Sequence, residues 1–294
     1  MRVAVSGSHG LIGGRLMVEL RKAGHEVTML QRASGPVPPG AQAAPWLSAG
    51  RDVDAVVHLA GSPIAAGRWS ARRKREILAS REAGTRRLIE ALAGAGARPR
   101  VFVSASAVGY YGPCGDEALD EQRPPGRDFL AGVCVAWEDA ALGAAQALGA
   151  RVVHLRTGVV LTAEGGMLAR LLPFFRLGLG GPVGSGRQWL PWITLEDEVR
   201  AIVALLQRED AAGAYNLCAP SPARSDEFAH ALGRALRRPS ALPLPSAAVR
   251  LMFGEMGEAV LLAGQRALPR KLEAGGFTFR EPELDSALRH CLQG

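Results

Sequence analysis

A glycine-rich turn close to the amino terminus constrains the fold of this 294-residue chain more than any other sequence feature. The turn follows the apolar run Arg2–Ser6 and precedes the amphipathic run Leu11–Ala23. Glycines in such a turn let backbone amides approach a pyrophosphate at the N-terminus of a helix. The GxxGxxG spacing therefore predicts dinucleotide binding, with a purely structural turn as the alternative. The predicted contacts are Gly7, Ser8, His9, Gly10, Leu11, Ile12 and Gly13.

Short β-branched runs alternate with longer helical patterns through the first half of the chain. This alternation is typical of strand and helix units that build a parallel sheet. It predicts an α/β fold, specifically a Rossmann, doubly wound parallel sheet. The predicted strands are Arg2–Ser6, Glu26–Leu30, Ala55–Leu59, Arg100–Ser104 and Arg151–Leu155. The predicted helices are Leu11–Ala23, Ala71–Ala93 and Leu130–Ala147, and Ser34–Pro45 is predicted to be a loop.

The pattern changes after residue 161, where glycines and prolines become frequent. A strand is predicted at Gln188–Ile193, and Thr194 with Asp197 resembles a capping box that opens a helix. Farther on, Ser225 is predicted to cap a helix, and a Met- and Leu-rich helix is predicted at Val249–Ala263. We therefore predict a Rossmann domain over 1–160 and a smaller, mostly helical, substrate-type lobe over 161–294. Some of this later chain is expected to return to the Rossmann domain.

Charge composition bears on the class of partner. Lys and Arg number 35 against 28 Asp and Glu, which gives a net charge of +7. Positive charge favours anionic partners, but the arginines are spread along the whole chain. The cluster Arg72–Arg75 has no interleaved aromatic residues, so it is interpreted as a solvated helix face or as a neighbour of a cofactor phosphate. We expect a small-molecule substrate, which the sequence does not identify, and no nucleic acid.

Apolar runs in the sequence are shorter than the roughly 18 residues that a membrane span requires, so no membrane partner is expected. The start of the chain leaves no room for a secretion signal. The four cysteines are far apart and form no metal-like spacing. Scattered cysteines are typical of a reducing compartment, and we predict a cytoplasmic protein without a metal site. The sequence gives no indication of the oligomeric state.

The end of the second predicted strand bears on the choice of cofactor. An NAD-selecting site carries Asp or Glu here to accept hydrogen bonds from the ribose hydroxyls. This chain has Gln31 and Arg32 instead. Because a guanidinium pairs with a 2′-phosphate, the sequence favours NADP(H) over NAD(H). The alternative is that Arg32 is an exposed surface residue.

Several long motifs elsewhere in the chain support the prediction of an NADP(H)-binding protein. With the glycine turn and Arg32, they resemble the extended short-chain dehydrogenase/reductase superfamily, in particular the atypical branch of epimerase family proteins (YfcH-type, SDR39U1-like). The resemblance runs over the whole chain and implies a Rossmann domain that binds NADP(H) and a C-terminal substrate lobe. The motifs include Leu59–Ile64, Ser104–Gly112, Arg156–Leu161, Phe174–Pro182 and Gly184–Gln188.

The resemblance also implies which further residues contact the cofactor. Leu59, Ala60 and Gly61 follow a strand end, where the backbone passes the adenosine, and Arg81 is expected to reach a phosphate. Glu76 is either a hydroxyl ligand or an ordinary carboxylate on a helix surface. The positions that the resemblance assigns to NADP(H) are Gln31, Arg32, Leu59, Ala60, Gly61, Glu76, Arg81 and Val160.

The usual catalytic pair of the superfamily is missing. Ordinary members use Tyr-x-x-x-Lys, in which the phenol is the general acid or base, but none of the 3 tyrosines is followed by lysine at that spacing. The corresponding positions fall on Leu130 and Cys134. Another group must therefore move the proton. The candidates at the end of the fourth strand are Ser104, Ser106, Tyr110 and Tyr111, each with a purely structural role as the alternative.

A second cluster follows the glycine-rich loop of the C-terminal lobe. Arg187, Gln188, Trp189 and Trp192 either line a pocket for an anionic or ring-bearing ligand or pack the two lobes together.

Two functions are predicted from these motifs and from the family resemblance. The first is an NADP(H)-binding oxidoreductase or epimerase-like protein of unknown substrate. The alternative is a non-catalytic protein that senses NADP(H) and acts in regulation or interaction, with division as one such role.

Overall fold

The computed structural model describes residues 1–30 and 52–293. Its main sheet has six parallel strands in the order β10-β6-β4-β3-β1-β2. The predicted doubly wound parallel sheet is therefore confirmed. The six strands are β1 (Arg2–Ser6), β2 (Glu26–Leu30), β3 (Ala55–His58), β4 (Val101–Ala107), β6 (Arg151–Thr157) and β10 (Gly213–Leu217).

The five predicted strands of the first half all form, and two of them extend farther at their carboxyl ends. Strand β4 continues to Ala107 and β6 continues to Thr157, because the two strands stay paired residue by residue to their last members. Their extension carries Ser106 and Arg156 into the sheet. The predicted loop Ser34–Pro45 lies outside the described residues.

Helices cover both faces of the sheet. Apolar residues of α2 and α3 pack on one face and those of α1 and α5 on the other, which gives two separate cores. Side chains cap several of these helices: Ser70 accepts from Arg73 N at 3.1 Å, and Thr194 accepts from Asp197 N at 3.2 Å as predicted. The helices are α1 (Leu11–Lys22), α2 (Ala71–Gly94), α3 (Phe129–Leu148) and α5 (Leu195–Gln207).

The C-terminal lobe is mostly helical, as predicted, and three pairs of short strands form small sheets separate from the main sheet. It has its own apolar core around Trp192. Its helices are α4 (Gly166–Arg176), α6 (Ser225–Leu236), α7 (Ser246–Phe253), α8 (Glu255–Gly257), α9 (Arg270–Ala274) and α10 (Leu284–Gln293), with a π-helical turn at Glu258–Leu262. The short strands are β5 (Ala118–Leu119), β7 (Val159–Leu161), β8 (Trp189–Leu190), β9 (Trp192–Thr194), β11 (Ala223–Arg224) and β12 (Arg266–Ala267).

Three local predictions in this lobe are wrong. The strand predicted at Gln188–Ile193 is two strands on either side of Pro191, because proline has no N–H to donate to a ladder. The helix predicted at Val249–Ala263 breaks at Gly254, whose φ of 59° lies in the left-handed region. Ser225 is the first residue of α6 and Arg224 takes the capping position.

Strand β10 comes from the later part of the chain and completes the main sheet beside β6. The division of the chain at residue 160 into two domains stays a prediction. Among the described residues, no helix combines the length and the apolar composition that a membrane crossing needs.

Candidate cofactor and active site

The glycine turn lies at the point where the strand order of the sheet reverses. Strand β1 lies between β2 and β3. The chain leaves β1 toward β2 and leaves β3 toward β4, in opposite directions, and a crevice opens where the two loops diverge. Gly7 has a φ of 73°, and Gly10 N donates to Gly7 O at 2.9 Å, which closes the turn. A Cβ on Gly7 would lie 2.8 Å from the carbonyl carbon of Leu59 and 2.9 Å from Ala60 N. The turn therefore packs directly against the loop after β3.

The third glycine of the motif brings α1 against the turn. A Cβ on Gly13 would collide with the Gly7 carbonyl oxygen. Helix α1 begins at Leu11, and no side chain caps its N-terminus at Gly10. Its first amides therefore face the crevice, where an anion would satisfy them.

Buried polar side chains next to the glycine turn form a chain of hydrogen bonds. His58 Nδ1 lies 2.6 Å from Ser6 Oγ, and His58 Nε2 lies 3.0 Å from Thr85 Oγ1. Thr85 donates its own proton to Arg81 O at 2.5 Å, so it accepts from His58 Nε2. This chain of bonds joins the last residue of β1, the last residue of β3 and helix α2.

Arg81 lies beside the same crevice with its guanidinium mostly buried. It donates to Ser62 O at 3.0 Å and Ile77 O at 3.2 Å and lies 4.9 Å from the Trp137 ring centroid. Burial lowers the pKa of Arg81, and no carboxylate of the described residues forms an ion pair with it. A buried cation of this kind gains most from an anionic ligand.

The other predicted cofactor residues differ in their surroundings. Ser8 is buried and His9 is exposed. Val160 lies close to Leu11, because a Cβ on Gly166 would be 3.5 Å from Val160 O and 3.7 Å from Leu11 Cδ2. Glu76 is on the surface of α2, where bonds from Arg72 and Arg73 lower its pKa.

Gln31 and Arg32 lie outside the described residues. One crevice is shared by the glycine turn, residues 59–61 and Arg81. Ile12 packs against the neighbouring apolar core. Their contacts with a cofactor stay a prediction.

The carboxyl end of β4 carries the two candidate serines. Ser104 is fully buried and donates to Ala105 O at 3.2 Å. Ser106 donates to Glu138 Oε1 at 2.7 Å. Glu138 in turn accepts two bonds from Arg156, from Nε and Nη2, both at 2.9 Å. Because a carboxylate can only accept, the Ser106 proton points toward Glu138.

The two candidate tyrosines follow β4 in a short 3₁₀ turn, Val108–Tyr111. Tyr111 is 1% exposed; its hydroxyl donates to Asn216 Oδ1 at 2.6 Å and accepts from Arg156 Nη1 at 3.1 Å. Burial raises the pKa of Tyr111 far above its usual value. Tyr110 is half-buried, with its ring centroid 3.4 Å from Arg156 Cζ. Catalysis by Ser104, Ser106, Tyr110 or Tyr111 stays a prediction.

The positions of the missing Tyr and Lys hold apolar and thiol groups. Leu130 contacts Gly109, since a Cβ there would lie 3.6 Å from Leu130 Cβ. Cys134 is buried, and burial raises the pKa of its thiol to about 12. Its Sγ lies 3.7 Å from Ala107 O. A thiol held neutral in this way cannot replace a lysine cation.

The two tryptophans of the second cluster have different roles. Trp192 is fully buried in the core of the lobe and donates to Ser221 O at 3.0 Å. Trp189, Arg187 and Gln188 line a surface pocket of about 330 Å³. The structure therefore assigns packing to Trp192 and a pocket to the other three residues.

Sequence reasoning missed two buried carboxyl groups near the strand ends. Glu138 pairs with Arg156 as described above. Glu198, in the first turn of α5, is fully buried; Thr157 donates to its Oε1 at 2.9 Å, and its Oε2 has no partner among the described residues. Burial raises the pKa of Glu198 to about 8. Both residues look like ordinary helix-surface carboxylates in sequence.

A glycine turn at the switch point of a parallel sheet, with a buried arginine beside it, defines a Rossmann-type dinucleotide-binding protein. Comparison with known families is consistent with that class. The chain belongs to the NAD dependent epimerase/dehydratase family, whose model matches residues 3–218. A domain of unknown function, DUF1731, matches residues 244–291.

Full-length relatives support the same assignment. The chain is 46% identical over 297 residues to an epimerase family protein of Mycobacterium bovis, covering 98% of this chain and 97% of the relative. It is 39% identical to human epimerase family protein SDR39U1, covering 99% and 100%. The crystal structure of that human protein (isoform 2) with NADPH superposes with a TM-score of 0.91 at 38% identity, over 100% of both chains.

Proposed function

We propose that this protein binds NADP(H) in the switch-point crevice and acts as an oxidoreductase or epimerase-like enzyme on a small substrate. The observation that carries the proposal is the packing of the glycine turn. Gly7 packs against the loop after β3, and the uncapped N-terminus of α1 lies beside them at the switch point of the sheet. This arrangement provides backbone donors for a pyrophosphate without any side-chain charge.

The preference for the phosphorylated cofactor has two supports. The human relative of known structure holds NADPH. Arg32 stands where a NAD-selecting carboxylate would be, and a guanidinium suits a 2′-phosphate. Arg81 adds a second, buried guanidinium beside the crevice. When bound, NADP(H) donates or accepts a hydride.

The chain's own residues must then orient the substrate and hold its proton. Ser104 and Ser106 lie near the carboxyl end of β4. This strand is next to β3, on the side of the switch point opposite to β2. Tyr110 is the better placed phenol for proton transfer, because the Tyr111 hydroxyl is already bonded to Asn216 and Arg156. We assign proton transfer to Tyr110. The serines are assigned to substrate orientation through their oxygens as acceptors, because Ser104 already donates to Ala105 O and Ser106 to Glu138.

A sensor without turnover is the second candidate function. It is favoured by Leu130 and Cys134, which leave no lysine to lower a phenol pKa, and by the raised pKa of Tyr111. A cytoplasmic location is part of the proposal in either case. The four cysteines are free thiols in the structure, which suits a reducing compartment.

Cofactor binding is tested with Arg81→Met, which keeps the length of the side chain and removes its charge. We expect NADPH to bind at least tenfold more weakly in isothermal titration calorimetry, because the anionic cofactor loses its buried guanidinium partner. Arg87→Met, at an exposed position on the same helix, is the matched control and should bind normally. Equal affinities for the two variants would remove Arg81 from the cofactor site, and no binding by the native chain would reject the proposed function.

Turnover separates the enzyme from the sensor. With saturating NADPH and a panel of aldehydes and ketones, we expect slow NADPH oxidation that Tyr110→Phe reduces at least tenfold. Tyr111→Phe should instead lower stability while leaving the rate per folded molecule largely intact. The measurement is absorbance at the NADPH band together with thermal unfolding. NADPH binding without turnover by any panel member would favour the sensor.

A further inference from the structure

The pocket beside Trp189 lies between the chain segment that follows the candidate tyrosines and the C-terminal lobe. One wall is the loop that continues from the tyrosines, and the opposite wall belongs to the C-terminal lobe. Gln265 Nε2 donates to Gly112 O at 3.2 Å and holds the two walls together. The pocket measures about 330 Å³. Its polar lining residues are Asp116, Arg187, Gln188, Trp189 and Arg224.

Hydrogen bonds and ring contacts arrange these side chains in advance. Trp189 Nε1 and Arg224 Nη2 both donate to Asp116 Oδ1 at 2.8 Å. These bonds hold the pKa of Asp116 below its usual value, with the Trp189 bond the largest cause. Arg224 Cζ lies 4.6 Å and Arg266 Cζ 4.9 Å from the Trp189 ring centroid. Asp116 thus fixes the indole and one guanidinium side by side.

The positive charges around the pocket exceed the negative ones. The lining holds two arginines, Arg187 and Arg224, against one carboxylate, Asp116. Arg266 lies outside the lining, with its Cζ 4.9 Å from the Trp189 ring centroid. Arg187 is exposed and its guanidinium forms no bond with the described part of the chain. Arg266 Nε is buried without a hydrogen-bond partner among the same residues. The lining therefore has an excess of positive charge, with Arg187 unpaired among residues 1–30 and 52–293 and Arg266 close behind the indole, which suits an anionic ligand.

Charge and size together select the ligand. A phosphate monoester carries roughly −1.5 to −2 charges at pH 7, whereas a carboxylate carries a single charge. Guanidinium groups also bind phosphate oxygens in a bidentate manner. A volume of about 330 Å³ is close to the lower bound for small-molecule pockets. A compact phosphorylated molecule fits it better than a nucleotide sugar does.

We infer that this pocket binds the phosphate group of a compact phosphate-monoester substrate, with Arg187 and Arg224 as its principal ligands. The inference deepens the proposed function, on which it rests, by naming the class of substrate. The segment with Pro113 and Asp116, which forms one wall, follows directly on the turn that carries Tyr110. Arg187 and Arg224 are specificity-determining residues in this assignment, and Asp116 is a positioning residue.

Phenyl phosphate is a suitable probe, titrated calorimetrically into the chain saturated with NADP+. We expect saturable binding that Arg187→Gln and Arg224→Gln each weaken at least tenfold. Arg21→Gln is the control, at an exposed position near the C-terminal end of α1, and should leave phenyl phosphate binding unchanged. Benzoate and inorganic phosphate should bind more weakly than phenyl phosphate, and UDP-glucose should not bind more tightly. Circular dichroism of Arg224→Gln checks that the variant is folded.

Several results would overturn the inference. They are no heat with phenyl phosphate, equal affinity of the arginine variants and the Arg21 control, benzoate binding as tightly as phenyl phosphate, or tighter binding of UDP-glucose. Competition between phenyl phosphate and NADPH would place the phosphate in the cofactor site instead. NADPH binding is measured separately on the same samples. If the native chain binds NADPH but not phenyl phosphate, this inference alone is rejected. If the native chain does not bind NADPH, the proposed function is rejected.

Discussion

An Arg156→Met variant is expected to lose about 3–5 kcal/mol of its free energy of unfolding, because it leaves a buried carboxylate without its partner. The Arg156 and Glu138 side chains are 5% and 10% exposed. Glu138 would keep one bond, from Ser106, and would lose both bonds from the guanidinium. Urea unfolding at pH 7, followed by circular dichroism, measures the loss.

The double variant Arg156→Met with Glu138→Leu is the informative companion. Replacing both partners removes the buried charge, so much of the lost stability should return. The exposed pair Arg123 and Glu117 provides the matched control, with side chains 43% and 48% exposed. Arg123→Met should cost no more than about 1 kcal/mol. If Arg156→Met costs as little as this control, the pair does not stabilise the fold.

Glu198→Gln is expected to make the protein markedly more stable than the native chain at pH 9 and equally stable near pH 4. The folded pKa of Glu198 is raised from 4.5 to about 8. Folding therefore favours the protonated carboxyl. The stability that this contributes is fully present below pH 4.5 and is lost as the pH rises from there through about 8. At pH 9 the charged buried carboxyl costs on the order of 5 kcal/mol. Glutamine keeps the bond to Thr157 and avoids that cost.

Thermal unfolding across pH 4 to 9 tests this expectation. The native chain should lose stability relative to Glu198→Gln in the interval between the unfolded and folded pKa values. Glu90→Gln, at an exposed position on α2, provides the control and should follow the native curve. Parallel curves for native and Glu198→Gln proteins would show that Glu198 does not carry a raised pKa.

The main features of the fold follow from local sequence patterns. The glycine turn, the apolar strands and the capping residue Thr194 each act within a few residues, so the sheet and its helices could be predicted. The strand ends also carried a signal that was not used. Ser6, His58, Ser104 and His154 stand opposite one another on four neighbouring strands and share one buried face. Aligning the strand ends by register would have found this polar row.

The buried networks could not be predicted in the same way. Ser106 meets Glu138 across 32 residues of sequence, and Tyr111 meets Asn216 across 105. Such contacts depend on the docking of helix α3 and strand β10 against the sheet rather than on spacing along the chain. The break at Gly254 was missed for a different reason, since an isolated glycine within an apolar run does not by itself reveal a positive φ.

Strand β10 has a consequence for how the protein is made. The strand at the edge beside β6 is synthesised only when the chain reaches residues 213–217. Until then, the ribosome holds an incomplete sheet whose β6 exposes unpaired backbone groups, the kind of edge at which chains aggregate. We therefore expect the first half of the chain, expressed without residues 213–217, to aggregate more readily than the whole protein.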